Sequence, residues 1–454
     1  MPRRQFTALI LASALITLDG TAASVALPAI GRDLSASMAR LQWIANAPLL
    51  ALAAMLLPAG TLGDRFGHVR LLRIGLTTFV AASAVCATAS SDGAIIAARL
   101  GQGTGGALVL PAALAMLRAA YDDAAERTRI FGVWAAWTGV ASAVGPLVAG
   151  VLVDVLSWRA IFMTSMVIGV VAAVLLQREA GTKPAPRREG VSGIATAALV
   201  VLLGALAYGL MRAALNGMND AVLLFPAALA IAAGVTLVRD PRRQGLLPRE
   251  LLGARNCVAA NATDFALYFG MFGLSFMLSV YVQQVLHYSA LWAAIVLLPI
   301  SIMLLFAERF GRLTSTIGTK PLVISGALTA GGGIAWIGGA PHPIPFWSHM
   351  IVGTTMFGLG MSVSVSALTH AAVAAVPENC AGAASGLNHA VVRAAGLIAV
   401  AALGSIATPG ASEVISIEGF RRAVLVCAAI VSAGGVAGSA QLRDGEAGGV
   451  AAAS

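Results

Sequence analysis

Fourteen apolar runs, each close to the length of a membrane-crossing helix, follow one another along this 454-residue chain. They fall at about 6–30, 43–63, 71–90, 93–117, 130–153, 160–177, 192–211, 221–238, 257–283, 290–307, 321–340, 347–369, 383–405 and 421–440. A span needs roughly 20 mostly apolar residues. Only helices and closed barrels satisfy every backbone N–H and C=O within lipid. The runs are long and lack the strict alternation of barrel strands, so an all-α integral membrane protein with 14 spans is predicted. Composition agrees, with 58% hydrophobic and 11% charged residues. Soluble domains carry about 25% charged residues, and disordered chains are far less apolar.

Arg3 and Arg4 precede the first run, as in a secretory signal. A cleaved signal has an apolar core of about 7–15 residues. This run is longer and holds Asp19, so it reads as the first span. With both termini in the cytoplasm, 21 of the 29 Lys and Arg residues fall on the cytoplasmic side, six on the outer side and two, Arg99 and Arg393, inside spans. That asymmetry orients the chain, N- and C-termini cytoplasmic, in a bacterial-type plasma membrane. It also accounts for the net charge of +9 through an anionic leaflet of membrane lipid, with no nucleic acid as partner.

The stretch QREAGTKPAPRREGVSG (177–193) is the longest linker, and a second basic gap covers 238–256, with only two spans between them. The chain therefore reads as an N-terminal six-helix bundle (1–180), a cytoplasmic linker with a two-helix insert (181–245) and a C-terminal six-helix bundle (246–454). A faint repeat supports the two halves: GTLGDRFGHV (60–69) and GRLTSTIGTK (311–320) share G-x-L and a Gly seven residues after the first. Repeated halves are a way to build alternating access around a site between them. The four cysteines are far apart, without metal-ligand or redox spacing, and are assigned to packing.

Charged and bent positions inside this apolar framework are the candidates for chemistry. A carboxylate at the centre of a span costs about 2.5–3.5 kcal/mol on insertion scales, so Asp19 needs a reason to be there. In GTLGDRFGHVRLL, Gly60 and Gly67 permit a tight turn, and Asp64 lies among Arg65, Arg70 and Arg73. This is either a latch that opens during rocking or a solvated positive-inside loop. Arg99 either faces a polar interior or snorkels to the helix end two turns away. In GVASAVGPLVAG (139–150), small residues including Gly139, Gly145 and Gly150 allow close helix contact, and Pro146 bends the helix. Asp264 shares a face with Asn261 and Tyr268, and Arg393 shares one with His389. Asp264 reads equally as a functional acid or as one placed near the inner leaflet.

Together these stretches resemble the major facilitator superfamily. GTLGDRFGHV is similar to its motif A, G-x-L-x-D-R-x-G-R-R/K, with His68 and Val69 in place of the two bases and Arg70 directly after. IIAARLGQGTGGALVLPAAL (95–114) resembles motif B, around Arg99, and GVASAVGPLVAG resembles motif C of the antiporter branches. LDGTAASVALP resembles the L-D-x-T-I-V-N-V-A-L-P signature of the fourteen-helix drug:proton antiporters, with Ala22, Ala23 and Ser24 replacing Ile-Val-Asn. Gln42 and Trp43 match a Q-W pair of that branch, while Pro48 stands at its Tyr position.

The resemblance implies a secondary active transporter that exports hydrophobic drugs or toxic small molecules, cationic ones included, in exchange for protons. It implies no catalytic or metal site, no cofactor beyond the proton gradient, and function as a monomer. Asp19, Arg99, Asp264 and Arg393 are the expected proton and substrate coupling residues. Gly60, Asp64, Arg65, Gly67 and Arg70 form the expected cytoplasmic gate, and Gly139, Gly145, Pro146 and Gly150 the antiporter helix. A narrow exporter of one antibiotic or metabolite is the alternative. A proton-coupled uptake carrier fits less well with motif C, and a sensor or enzyme lacks an output domain or a catalytic constellation.

Overall fold

Two glycines, Gly67 and Gly318, have φ of +90° and +89°, a region that side chains rarely enter. Each is the single residue between the end of one helix and the start of the next. They are the aligned glycines of the sequence repeat, so the same turn recurs in both halves of the chain. The computed structural model describes residues 1–121, 123–176, 193–216, 220–240, 253–311, 313–376, 381–408 and 415–442. The predicted linker residues 177–192 and the basic residues 241–252 lie outside this set.

The first group of helices comprises α1 (Arg3–Leu34), α2 (Met38–Phe66), α3 (His68–Thr88), α4 (Asp92–Ala119), α5 (Ala124–Val155) and α6 (Arg159–Leu176). Then come α7 (Gly193–Asn216) and α8 (Leu224–Arg239). The remainder are α9 (Arg255–Val280), α10 (Ala290–Leu304), α11 (Thr319–Gly338), α12 (Val352–Ala374), α13 (Ala381–Ala407) and α14 (Ile417–Ala440). No strand occurs among the described residues. Polar N-caps mark where helices begin: Ser37, Ser91, Asp123 and Ser416 accept the backbone N–H three residues on. Asp123 and Glu126 have the spacing of a capping box.

Among the described residues, 12 helices are long and apolar enough to cross a membrane. Each of the fourteen predicted runs lies on a helix, and one of them falls short of that length. Helix α10 is 15 residues, with Pro299 inside it, and the chain turns after Leu304. The predicted gating loop is also shorter than its sequence suggests. Residues 60–66 complete α2, and Gly67 makes the whole reversal before α3 starts at His68. One glycine at positive φ is enough for this turn, so no loop is required.

By contacts the chain divides into two compact units. Unit 1 is Met1–Gly209, Asp220–Arg242 and Tyr288–Ile295; unit 2 is Leu210–Asn219, Arg243–His287 and Val296–Ser454. Unit 1 is centred on Leu9, Leu15, Leu72, Leu76, Phe79 and Leu117, all buried. Its helices approach closely through small residues. A Cβ added at Gly103 of α4 would lie 2.7 Å from the Cα of Pro48 in α2. The position where a Tyr is expected therefore meets a neighbouring backbone. Unit 2 packs around Phe276, Phe357 and Phe420. Glycines there serve the same purpose: a Cβ at Gly333 of α11 would lie 2.8 Å from Phe357 N of α12.

Candidate functional site

Asp19 sits mid-way along α1 on its inward face, 3% exposed, and Arg99 reaches it from α4, 2% exposed. Arg99 Nη1 donates to Asp19 Oδ2 at 2.5 Å. One turn on from Arg99, Gln102 accepts from Arg99 Nη1 at 2.8 Å. Its Nε2 donates to Asp19 Oδ1 at 3.2 Å and to Ser83 Oγ of α3 at 2.9 Å. From α6, Ser165 donates to Asp19 Oδ1 at 3.2 Å. Arg99 Nε lies 3.5 Å from the Ile44 carbonyl of α2, and its guanidinium stands 5.8 Å from the centroid of the Phe162 ring.

Both oxygens of the carboxylate are thus occupied, and five helices meet at one ion pair. Burying two charges costs several kcal/mol each, offset only where geometry is good and the remaining hydrogen bonds are made. Gln102, Ser165 and the Ile44 carbonyl make them here. The snorkelling alternative for Arg99 is removed, because its side chain points into the unit. Sequence alone predicts no contact between Asp19 and Arg99 and does not single out Gln102, Ser83 or Ser165. Gln102 had one legible signal, its place three residues after Arg99 on the same face.

Beside the pair, α1 is bare. Gly20 is exposed, and a Cβ there would have no neighbour within 4 Å. Flanking hydroxyls line this stretch: Thr17 donates to the Ser13 carbonyl (3.0 Å), Thr21 to Leu18 (3.0 Å) and Ser24 to Thr21 (2.7 Å). A face lined by hydroxyls suits water better than acyl chains.

Helix α5 supports this region from the side. Gly145 is buried, and a Cβ there would strike Thr21 Oγ1 and lie 3.0 Å from the Leu18 carbonyl of α1. Pro146 follows within the same helix, and Gly139 is half-buried two turns earlier. At Gly150 a Cβ would lie 2.7 Å from Leu291 Cα. One turn further, Asp154 accepts the backbone N–H groups of Ala290 and Leu291, both at 3.0 Å. It therefore caps the first turn of α10, a turn grouped with unit 1.

Of the expected gate, Gly67 is the turn itself, Gly60 has open space around its Cα, and Arg70 is exposed. The side chains of Asp64 and Arg65 lie outside the described residues.

In unit 2, Asp264 of α9 is 1% exposed. Its Oδ2 accepts from Asn388 Nδ2 of α13 at 2.6 Å. Asn388 also reaches Asn261 Oδ1 at 3.4 Å, while Asn261 Nδ2 donates to the Cys257 carbonyl at 2.8 Å. Arg393 of α13 makes no ion pair with Asp264; it stands 5.9 Å from the centroid of Phe272. The two residues share a helix pair without forming one charged site.

Comparison with known proteins fits this arrangement. Residues 9–401 match the sequence profile of the Major Facilitator Superfamily. The chain is 33% identical over 403 residues to the tetracenomycin C resistance and export protein of Streptomyces glaucescens, spanning 86% of this chain and 73% of that protein. It is 32% identical over 399 residues to the methylenomycin A resistance protein of Bacillus subtilis, spanning 86% and 84%. Its fold is similar to that of the POT family transporter PepTSo, with a TM-score of 0.70, 15% identity and coverage of 97% and 98%. The chain belongs to the major facilitator superfamily, a family of transporters, and is a multi-pass protein of the bacterial cell membrane.

Proposed function

We propose that this protein exports hydrophobic drugs or toxic small molecules, cationic ones included, in exchange for protons, by alternating access. In this reading the chain crosses the membrane 14 times with both termini cytoplasmic, as two six-helix bundles flanking a two-helix insert. Export is supported by similarity to proteins named for antibiotic resistance and export. The observation that carries the coupling is the buried Asp19–Arg99 pair next to the open, hydroxyl-lined stretch at Gly20.

The acid and the arginine form a two-state element. With Asp19 ionised, Arg99 holds it and Gln102 and Ser165 fill the other oxygen. A proton arriving on Asp19 through the Gly20 side removes the charge, weakens the ion pair and frees the helices that meet there to repack. Departure of the proton restores the pair. Asp264 and Arg393 are candidates for coupling to the substrate in the second half, and the Gly60–Arg70 turn with the α5 glycines guides the motion. One charge moving down about 150 mV yields about 3.5 kcal/mol. That sustains roughly a few-hundred-fold gradient of a neutral solute.

A narrow substrate range is the second reading. It is favoured by relatives named for a single antibiotic and by Ala22, Ala23, Ser24 and Pro48 where the broad-range signature differs. Everted vesicles containing the protein test export directly: energised vesicles accumulate a fluorescent dye or an antibiotic, and an uncoupler abolishes the accumulation. Accumulation that ignores the proton gradient refutes antiport.

A further inference from the structure

The two buried acids are finished differently. Asp19 has a cation on one oxygen and two neutral donors on the other. Asp264 has a single neutral donor on Oδ2, and among the described residues no donor reaches its buried Oδ1. Among the described residues no Lys, Arg or His forms an ion pair with it.

The two amides beside Asp264 do not supply what is missing. Asn388 directs its amide N–H groups at Asp264 and Asn261, and Asn261 directs its own at the Cys257 carbonyl. The cluster is therefore rich in acceptors and its amide donors are already engaged. An unpaired buried acceptor that is also charged is among the costliest features a protein retains. A ligand that brings both positive charge and an N–H answers both deficits.

The surroundings suit such a ligand. Tyr268 and Phe272 continue the Asp264 face of α9 by one and two turns, their rings 6.4 Å apart, and both are half-buried. Half-buried aromatic rings offer an apolar, cation-tolerant wall for the rest of a hydrophobic molecule. Arg393 stands over Phe272, which follows Asp264 by eight residues, about 12 Å along the α9 axis.

The geometry points to Asp264, with Asn261 and Asn388, as a recognition site for the protonated amine of a hydrophobic exported compound, separate from the proton-carrying Asp19. This rests on the export reading and adds a substrate class to it. A hydrophobic tertiary ammonium, with one N–H and one charge, fits this site. A quaternary ammonium, which has no N–H, fits it less well.

Purified protein in lipid nanodiscs tests the site with quinacrine, a fluorescent hydrophobic amine, and Nile red, an uncharged probe. Wild type is expected to bind both. Asp264→Asn is expected to weaken quinacrine binding about tenfold or more with Nile red unchanged, and Asp264→Glu to restore part of the loss. The proposal is overturned if wild type does not bind quinacrine, if Asp264→Asn binds it as wild type does, or if that variant loses both probes equally. It is also overturned if Asp264→Asn keeps quinacrine binding and loses only proton release, which makes Asp264 a proton site. Proton-driven Nile red export by wild type, measured alongside, shows whether the export reading stands when the amine site fails.

Discussion

Arg99 Nη1 and Asp19 Oδ2 lie 2.5 Å apart, joining positions 80 residues distant in the chain, with both side chains almost wholly buried. Such a pair is more costly to halve than to remove. Replacing Arg99 by Met alone leaves an uncompensated buried carboxylate and is expected to destabilise the protein by about 3–5 kcal/mol. The double variant Asp19→Leu, Arg99→Met is expected to recover most of that loss while remaining inactive in transport. Thermal unfolding in detergent measures the first effect and vesicle export the second. A double variant no more stable than Arg99→Met contradicts this account of the pair.

Gly20 provides a way to separate access from folding. Space is open where its Cβ would stand, so Gly20→Phe is expected to leave the unfolding temperature near that of wild type. The same ring beside Asp19 is expected to reduce proton-coupled export severalfold. Full export by a stably folded Gly20→Phe variant places the access route elsewhere.

Gly145 is the opposite case. A methyl there meets Thr21 Oγ1 and the Leu18 carbonyl, so Gly145→Ala is expected to cost about 1–3 kcal/mol through overpacking. Adding Thr21→Ala removes one of the two obstacles and is expected to restore part of the stability. Strictly additive losses in the double variant argue against direct contact between these positions.

Asp154 makes two backbone hydrogen bonds to the start of α10. Asp154→Ala is expected to cost about 1 kcal/mol, as for loss of a helix cap. Amide hydrogen exchange at Ala290 and Leu291 is expected to accelerate selectively, while exchange in α1 is unchanged. Unaltered protection at those two amides contradicts the cap.

Much of this fold follows from the cost of exposing backbone to lipid, which is why each of the fourteen apolar runs lies on a helix. The repeat at Gly67 and Gly318 was legible because a glycine-requiring backbone leaves its mark on sequence. The length of α10 was less legible, because an apolar run continues past the point where the helix stops at Leu304. Asp19 and Arg99 stood out individually by the expense of burying charge. Their contact did not, since it depends on how α1 and α4 are rotated about their own axes. Gln102, Ser165 and Asn388 are ordinary neutral residues whose importance comes from what they touch, and Asp154 acts through a backbone that sequence spacing does not locate.

Drug-induced proton release from everted vesicles is the most direct measure of the central claim that Asp19 carries the exchanged proton. Energised vesicles holding wild-type protein are expected to release protons when a transported dye is added, and to accumulate the dye. Asp19→Asn is expected to lose both responses in vesicles matched for the amount of folded, inserted protein. Unchanged dye accumulation and proton release in Asp19→Asn would contradict the account.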